Sequence, residues 1–265
     1  MPPPGSKPDG VFLHIHGGGH VLAHCDWFDD LLLALATTTN LTVISPEYCL
    51  APENPFPAGP SDVYDVATHL VDHSPSTYGG PLKFIAGDSA GAMLSMLTVL
   101  HLLKARPDFA FQGAAFIYGL FDWSLSPSAG NWTTPLIMRT SNIEHFGDAY
   151  LGSRTLLERR DPAISPLYHE VFQYPASQIE DLEALKTEGL EKRPKLPPAL
   201  FLCGTLDPVV DDTVLMSFRY QVAGGEAVVK FVEGGPHGFL LFPEEQYESA
   251  RIGKGILLDF LRARV

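Results

Sequence analysis

Short apolar runs rich in Val, Ile and Phe recur along the chain, spaced by segments of helix length, and this pattern constrains the fold more than any other. They lie at Val11–His16, Thr42–Ser45, Lys83–Ala86, Gly113–Tyr118, Ala199–Gly204 and Ala227–Val232. Each run is nearly continuous rather than alternating, as a strand buried on both faces requires. Helix-length connections supply the crossovers that parallel strands need. The pattern predicts an α/β architecture, a mostly parallel sheet of about six strands with helices on both faces, in which ligands meet the carboxyl ends of the strands.

Helices are expected over Asp26–Thr38, Ser61–Asp72, Ala90–Lys104, Asp211–Ala223 and Pro243–Arg262, with Asp26, Ser61 and Asp211 as N-caps. The regular order breaks over Ser124–Asp161, a Ser/Pro/Gly/Asn-rich stretch with a helical patch at Ile143–Leu151, which is too long for an ordinary connection and reads as a lid. A second irregular stretch, Glu170–Pro198, carries the charged run Ile179–Lys192 and then the proline-rich Pro194–Pro198, and reads as a surface helix and linker. Residues 1–265 are thus expected to form one domain, with a lid-like insertion at about 124–160.

With 45% apolar and only 18% charged residues, the composition suits a buried sheet wrapped by helices. The formal charge of -13 disfavours nucleic acid and anionic membrane surfaces as partners and favours a neutral small molecule. Cys25, Cys49 and Cys203 are too scattered for a disulfide framework and read as reduced thiols in or near the core of a cytoplasmic protein. The start, MPPPGSKPDG, lacks a basic-then-apolar leader pattern, and no run reaches the roughly 18 apolar residues of a membrane span. Asn40-Leu-Thr42 and Asn131-Trp-Thr133 match the N-glycosylation triplet, a match that chance readily supplies.

Chemistry concentrates in four places. Gly87-Asp88-Ser89-Ala90-Gly91 follows one apolar run and opens a helical pattern. A tight strand-to-helix turn projects a serine hydroxyl towards a base, and the small flanking residues make the turn possible. Ser89 is therefore the candidate nucleophile, and the Ala90 N–H, at the helix start, a candidate oxyanion donor. His16-Gly17-Gly18-Gly19-His20 follows the first run, and its glycines leave backbone amides unobstructed, so Gly18 and Gly19 are the other candidate donors. Asp207 and His237 each follow a later run, in the order acid then histidine that this architecture uses. His237 is the candidate base and Asp207 the residue that orients it.

Two competing readings concern the same residues. Asp211 and Asp212 could supply the acid, but their place at a helix start fits capping better. His14, His16, His20 and His24 with Asp26 could bind a metal, yet no further chelating motif follows, so a metal site is not expected.

Assembled in this order, the residues resemble the hormone-sensitive-lipase-like family of α/β-hydrolases, the HGGG and GDSAG esterases. Tyr48-Cys-Leu-Ala-Pro-Glu53, Phe56-Pro-Ala58 and Asp161-Pro-Ala-Ile-Ser-Pro166 are similar to the family's YRLAPE, FPA and DPxxSP segments. The resemblance implies an α/β-hydrolase fold and a serine carboxylesterase for short- to medium-chain acyl esters. It also implies a triad of Ser89, Asp207 and His237, oxyanion donors at Gly18, Gly19 and Ala90, and neither a metal nor an organic cofactor. Glu47 and Cys49 replace the family's usual Asp and Arg, so altered local pairing around a buried thiol is expected. Family members usually carry a helical cap segment and two strands ahead of HGGG, whereas only fifteen residues precede His16. An amino-terminally shortened member would leave the Thr42–Ser45 strand as a bare sheet edge, to be covered by a second subunit in a homodimer unless the chain is part of a longer one. The alternatives are a non-catalytic small-molecule-binding protein on the same scaffold, or an amidase, lactonase or acyltransferase using the same triad.

Overall fold

The computed structural model describes residues 5–134, 136–173 and 195–265. Six strands form one sheet: β1 (Gly10–Ile15), β2 (Leu41–Ile44), β3 (Leu82–Asp88), β4 (Gly113–Ile117), β5 (Ala199–Leu206) and β6 (Ala227–Pro236). Their order is β2-β1-β3-β4-β5-β6 and every pairing is parallel, as the continuous apolar runs require. The principal helices are α1 (Asp29–Thr39), α2 (Ala58–Thr77), α3 (Ala90–Ala105), α4 (Pro127–Gly130), α5 (Thr140–Leu151), α6 (Val210–Val222) and α7 (Glu248–Arg262).

Successive residues along the strands enter opposite cores. Phe12, Ala115, Ile117, Leu200 and Leu202 join Leu31, Leu32 and Leu35 of α1 and Leu257, Phe260 and Leu261 of α7 on one face. Val11, Leu13, Ala114, Phe116 and Phe201 join Val63, Ala67 and Leu70 of α2 and Met216 and Tyr220 of α6 on the other. The strand period of two thus divides one hydrophobic sequence between two layers of helices. α3 is buried nearly all round, from Ala90 to Leu100, which explains its lack of a clear polar face.

Several boundaries differ from expectation. β3 and β6 run on past Ala86 and Val232 through glycine-containing residues that propensity assigns to loop, and β5 runs on past Gly204 through Thr205 and Leu206. None of the three expected N-caps holds. α1 starts after Phe28, preceded by a 3-10 turn over Cys25–Phe28; α2 starts after Pro57; and α6 starts after Val209, all without a side-chain cap. Ser61 instead donates back to the Pro57 carbonyl at 2.9 Å. The thiols are also less uniformly buried than expected: Cys203 is buried and Cys25 half-buried, but Cys49 is exposed. The helix and linker expected over Glu170–Pro198 fall largely outside the described residues, which include only a short 3-10 turn over Glu170–Phe172 and the residues from Lys195 on.

β2 ends the sheet on one side, with β1 as its only partner among the described residues. At the other side, β5 and β6 approach so closely that a Cβ on Gly204 would lie 1.9 Å from the Gly235 carbonyl oxygen. Backbone cannot retreat as a flexible side chain can, so Gly204→Ala should destabilise the fold by about 1–3 kcal/mol or more. Urea unfolding of the variant checks this; a midpoint equal to wild type would show that the strands have room to part.

Candidate active site

The register of the sheet delivers the predicted residues together. Leu206 pairs with Pro236 at the end of β5 and β6, so the next residues, Asp207 and His237, emerge side by side. Asp88 pairs with Ile117 at the end of β3, and the Ser89 N–H continues the ladder to the Ile117 carbonyl at 2.8 Å. Each of the three side chains therefore stands one residue beyond its strand.

His237 Nε2 lies 2.8 Å from Ser89 Oγ, and His237 Nδ1 lies 2.9 and 3.0 Å from the two Asp207 carboxylate oxygens. Asp207 also accepts the Val209 N–H at 3.0 Å. With Asp207 0%, His237 6% and Ser89 8% exposed, the chain of hydrogen bonds is shielded along its length, where electrostatic interactions are strong. Nδ1 facing a carboxylate takes the proton, which leaves Nε2 as acceptor for the serine hydroxyl.

Ser89 has φ 54° and ψ -120°, a conformation that costs a non-glycine residue about 1–3 kcal/mol. The neighbouring glycines are fixed by space as well as by turn geometry. A Cβ on Gly87 would lie 2.2 Å from the Gly91 carbonyl oxygen, and one on Gly91 would lie 2.0 Å from that of Ile15. α3 begins at Ala90, so its amino-terminal amides surround the serine.

The glycine loop after β1 closes over this turn. The Gly17 N–H donates to Asp88 Oδ1 at 3.1 Å, and a Cβ on Gly17 would lie 3.1 Å from that of Ser89. Gly18 and Gly19 follow with φ of 100° and 63°, and among the described residues nothing accepts their N–H groups. Tyr48, from the segment resembling YRLAPE, donates its hydroxyl to the His16 and Gly17 carbonyls at 2.9 and 3.2 Å and stacks its ring on His16 at 4.3 Å. Sequence reasoning gave Tyr48 no role in the site, although its placement in a family-like segment was a signal.

The four histidines do not converge. His14 lies 3.6 Å from Asp88, His16 and His24 approach Glu47 at 3.8 and 3.4 Å, and His20 stacks on Tyr150 at 3.9 Å. Among the described residues, no group of three or more His, Cys, Asp or Glu side chains is arranged to hold a metal ion. Glu47 also accepts the Cys25 N–H at 2.9 Å, and the Cys49 N–H donates to the Asp62 carboxylate at 2.8 Å, so the pairing there is local and the Cys49 thiol stays at the surface.

Asp211 and Asp212 correct the capping expectation. Rather than turning back onto α6, Asp211 accepts the Ser128 N–H at 2.9 Å. Asp212 is fully buried and accepts from the Phe121 and Asp122 N–H groups at 2.7 and 2.9 Å and from Ser126 Oγ at 2.5 Å. Both tie the first turn of α6, just after Asp207, to the segment after β4, a long-range contact with no local signature.

Residues 12–241 match the alpha/beta hydrolase fold family, and the chain belongs to that family, as the hormone-sensitive-lipase-like motifs indicated. Among curated proteins it is 27% identical over 238 residues to an esterase of Gibberella moniliformis, covering 89% of this chain and 68% of that one. It is 26% identical over 232 residues to an ethyl acetate hydrolase of Pseudomonas putida, covering 87% and 66% respectively. The chain therefore spans about two thirds of the length of these relatives. A solved structure of a hyperthermophilic esterase from Pyrobaculum calidifontis superposes with a TM-score of 0.82 at 25% identity, covering 98% of this chain and 79% of that one.

Burial pushes the Asp212 carboxyl up to about 7, with the Asp122 carboxylate adding to the rise and the hydrogen bonds from Ser126, Phe121 and Asp122 opposing it. A carboxyl raised in this way is protonated in the folded protein at pH values where the unfolded chain is ionised. It thus contributes stability that is present at low pH and lost as pH rises towards 7. Asp212→Asn keeps the shape and can keep the hydrogen bonds but cannot ionise. Wild-type stability relative to this variant should be greater at pH 5 than at pH 8 in urea titrations, and an equal gap at both values would contradict the assignment.

Proposed function

We propose that the chain is a serine carboxylic-ester hydrolase in which Ser89 is the nucleophile, His237 the general base and acid, and Asp207 the residue that orients it. The observation that carries this reading is the continuous contact Asp207–His237–Ser89, at 2.9 and 2.8 Å, ending on a strained turn. The relatives named as esterases and as an ethyl acetate hydrolase support ester cleavage.

Ser89 Oγ attacks the ester carbonyl while His237 Nε2 takes its proton, and the N–H groups of Gly18, Gly19 and Ala90 receive the negative charge that develops on the carbonyl oxygen. Each such donor lowers the barrier by about 3 kcal/mol. The tetrahedral species collapses as His237 returns the proton to the departing alcohol, leaving an acyl group on Ser89. Water then attacks that acyl group, with His237 as base, and the acid leaves. The Asp207 carboxylate, hydrogen-bonded to His237 Nδ1, stabilises the imidazolium formed in each half-reaction.

Short- to medium-chain acyl esters are the proposed substrates, following the family resemblance. The same reading makes residues 1–265 one domain with 124–160 as the lid, uses no metal or cofactor, places the protein in the cytoplasm and allows a homodimer that covers the edge strand β2. Three free thiols support the location, the β2 edge, paired only with β1 among the described residues, supports the dimer, and no helix among the described residues is long and apolar enough to cross a membrane.

Turnover of p-nitrophenyl acetate and butyrate, with fluorophosphonate labelling, tests the reading. Ser89→Ala should abolish labelling and lower kcat at least about 1,000-fold while leaving the fold intact. A folded wild-type protein that neither labels nor turns over either ester would instead support a binding role.

A further inference from the structure

The helix that the proposed lid contributes is built into the oxyanion loop. His20, directly after Gly18 and Gly19, has φ 64°, a left-handed conformation unusual for a residue with a side chain. Its ring lies flat on Tyr150 of α5, at 3.9 Å and 7°, and both touch Trp123 at 5.8 Å. One turn earlier on α5, Phe146 presses on Gly19, since a Cβ there would lie 2.4 Å from the Phe146 ring. The loop and the helix are also anchored from behind. The Ala51 N–H donates to the His20 carbonyl at 2.8 Å, and the Phe56 N–H to the Tyr150 carbonyl at 3.0 Å.

The aromatic contact has no polar alternative. Neither ring nitrogen of His20 nor the Tyr150 hydroxyl has a hydrogen-bond partner among the described residues, so stacking and burial hold the pair together. Burial pushes the His20 imidazole down to about 3, with His16 lowering it further, so the ring is neutral near pH 7. A strained backbone held by packing on one side and presenting two free amides on the other is how a folded protein fixes donors in advance of reaction.

We propose that Tyr150 and Phe146 of α5 are positioning residues, which set the Gly18 and Gly19 N–H groups for the developing oxyanion through the His20 stack. On this account α5 is a fixed wall of the site, and any lid motion belongs to other parts of 124–160. The proposal rests on the esterase reading only for its kinetic consequence. A misplacement of about 1 Å in such donors costs up to roughly 100-fold in rate.

Tyr150→Ala, assayed per fluorophosphonate-titrated site, should lower kcat about 10- to 100-fold with KM changed by less than about 3-fold, because the contact acts on the transition state. The inhibition constant of a trifluoromethyl ketone, whose adduct carries an oxyanion, should rise in step with the fall in kcat/KM. Tyr150→Phe, which keeps the ring, should restore the rate and inhibitor affinity. Hydrogen exchange of the residue 17–21 amides should quicken in Tyr150→Ala and return to wild type in Tyr150→Phe. Tyr150→Leu takes the place of the alanine variant if the latter does not fold. Wild-type kcat per titrated site together with unchanged exchange, even with a lowered melting temperature, would overturn the proposal. Should the wild-type protein itself prove inactive, the esterase reading fails separately, and the exchange comparison alone decides whether the stack holds the loop.

Discussion

The pairing of Leu206 with Pro236 is the interaction on which the site depends, because it decides that Asp207 and His237 leave the sheet as neighbours. Parallel strands in register end together, and their carboxyl ends gather side chains that are far apart in sequence. Ser89 enters the same space from β3, two strands away from β5 in the order β2-β1-β3-β4-β5-β6. A slip of one residue between β5 and β6 would turn either the acid or the histidine to the wrong face. The β5–β6 register itself shifts between the Gly204–Val232 and Leu206–Pro236 pairs, where Gly204 and Gly235 pack closely, and the shifted pairing is what sets Asp207 beside His237.

Around that frame, the structure spends polar contacts on loops rather than on helix ends. Tyr48 holds the His16 and Gly17 carbonyls, Asp88 holds the Gly17 amide, and Asp212 gathers three donors from the segment after β4. Each is a buried polar group satisfied by a long-range partner, the arrangement that makes irregular backbone affordable inside a protein. The effect is a site whose flexible-looking glycine loop is fixed on several sides.

Much of this was legible in the sequence. All six strands follow from continuous apolar runs, and Ser89, Asp207 and His237 follow from where those runs end. What escaped was of two kinds. Local propensity stops β3 before Gly87, β5 before Thr205 and β6 before Gly234-Gly235, yet all three run on, because a strand held by its neighbours' ladders needs no propensity of its own. Asp26, Ser61 and Asp211 were read as caps from local spacing, whereas Ser61 turns to the Pro57 carbonyl and Asp211 to Ser128. Tyr150 stacking on His20, a residue 130 positions earlier, has no local pattern from which to be inferred.

The account stands or falls on Ser89 becoming acylated during turnover. The direct measurement is to mix the protein with p-nitrophenyl butyrate, quench in acid and map peptides by mass spectrometry. The account predicts a butyryl group on the peptide carrying Ser89, transient in the wild-type protein and absent in Ser89→Ala. Turnover with the acyl group found on another residue, or with no acylated peptide at any quench time, would contradict it.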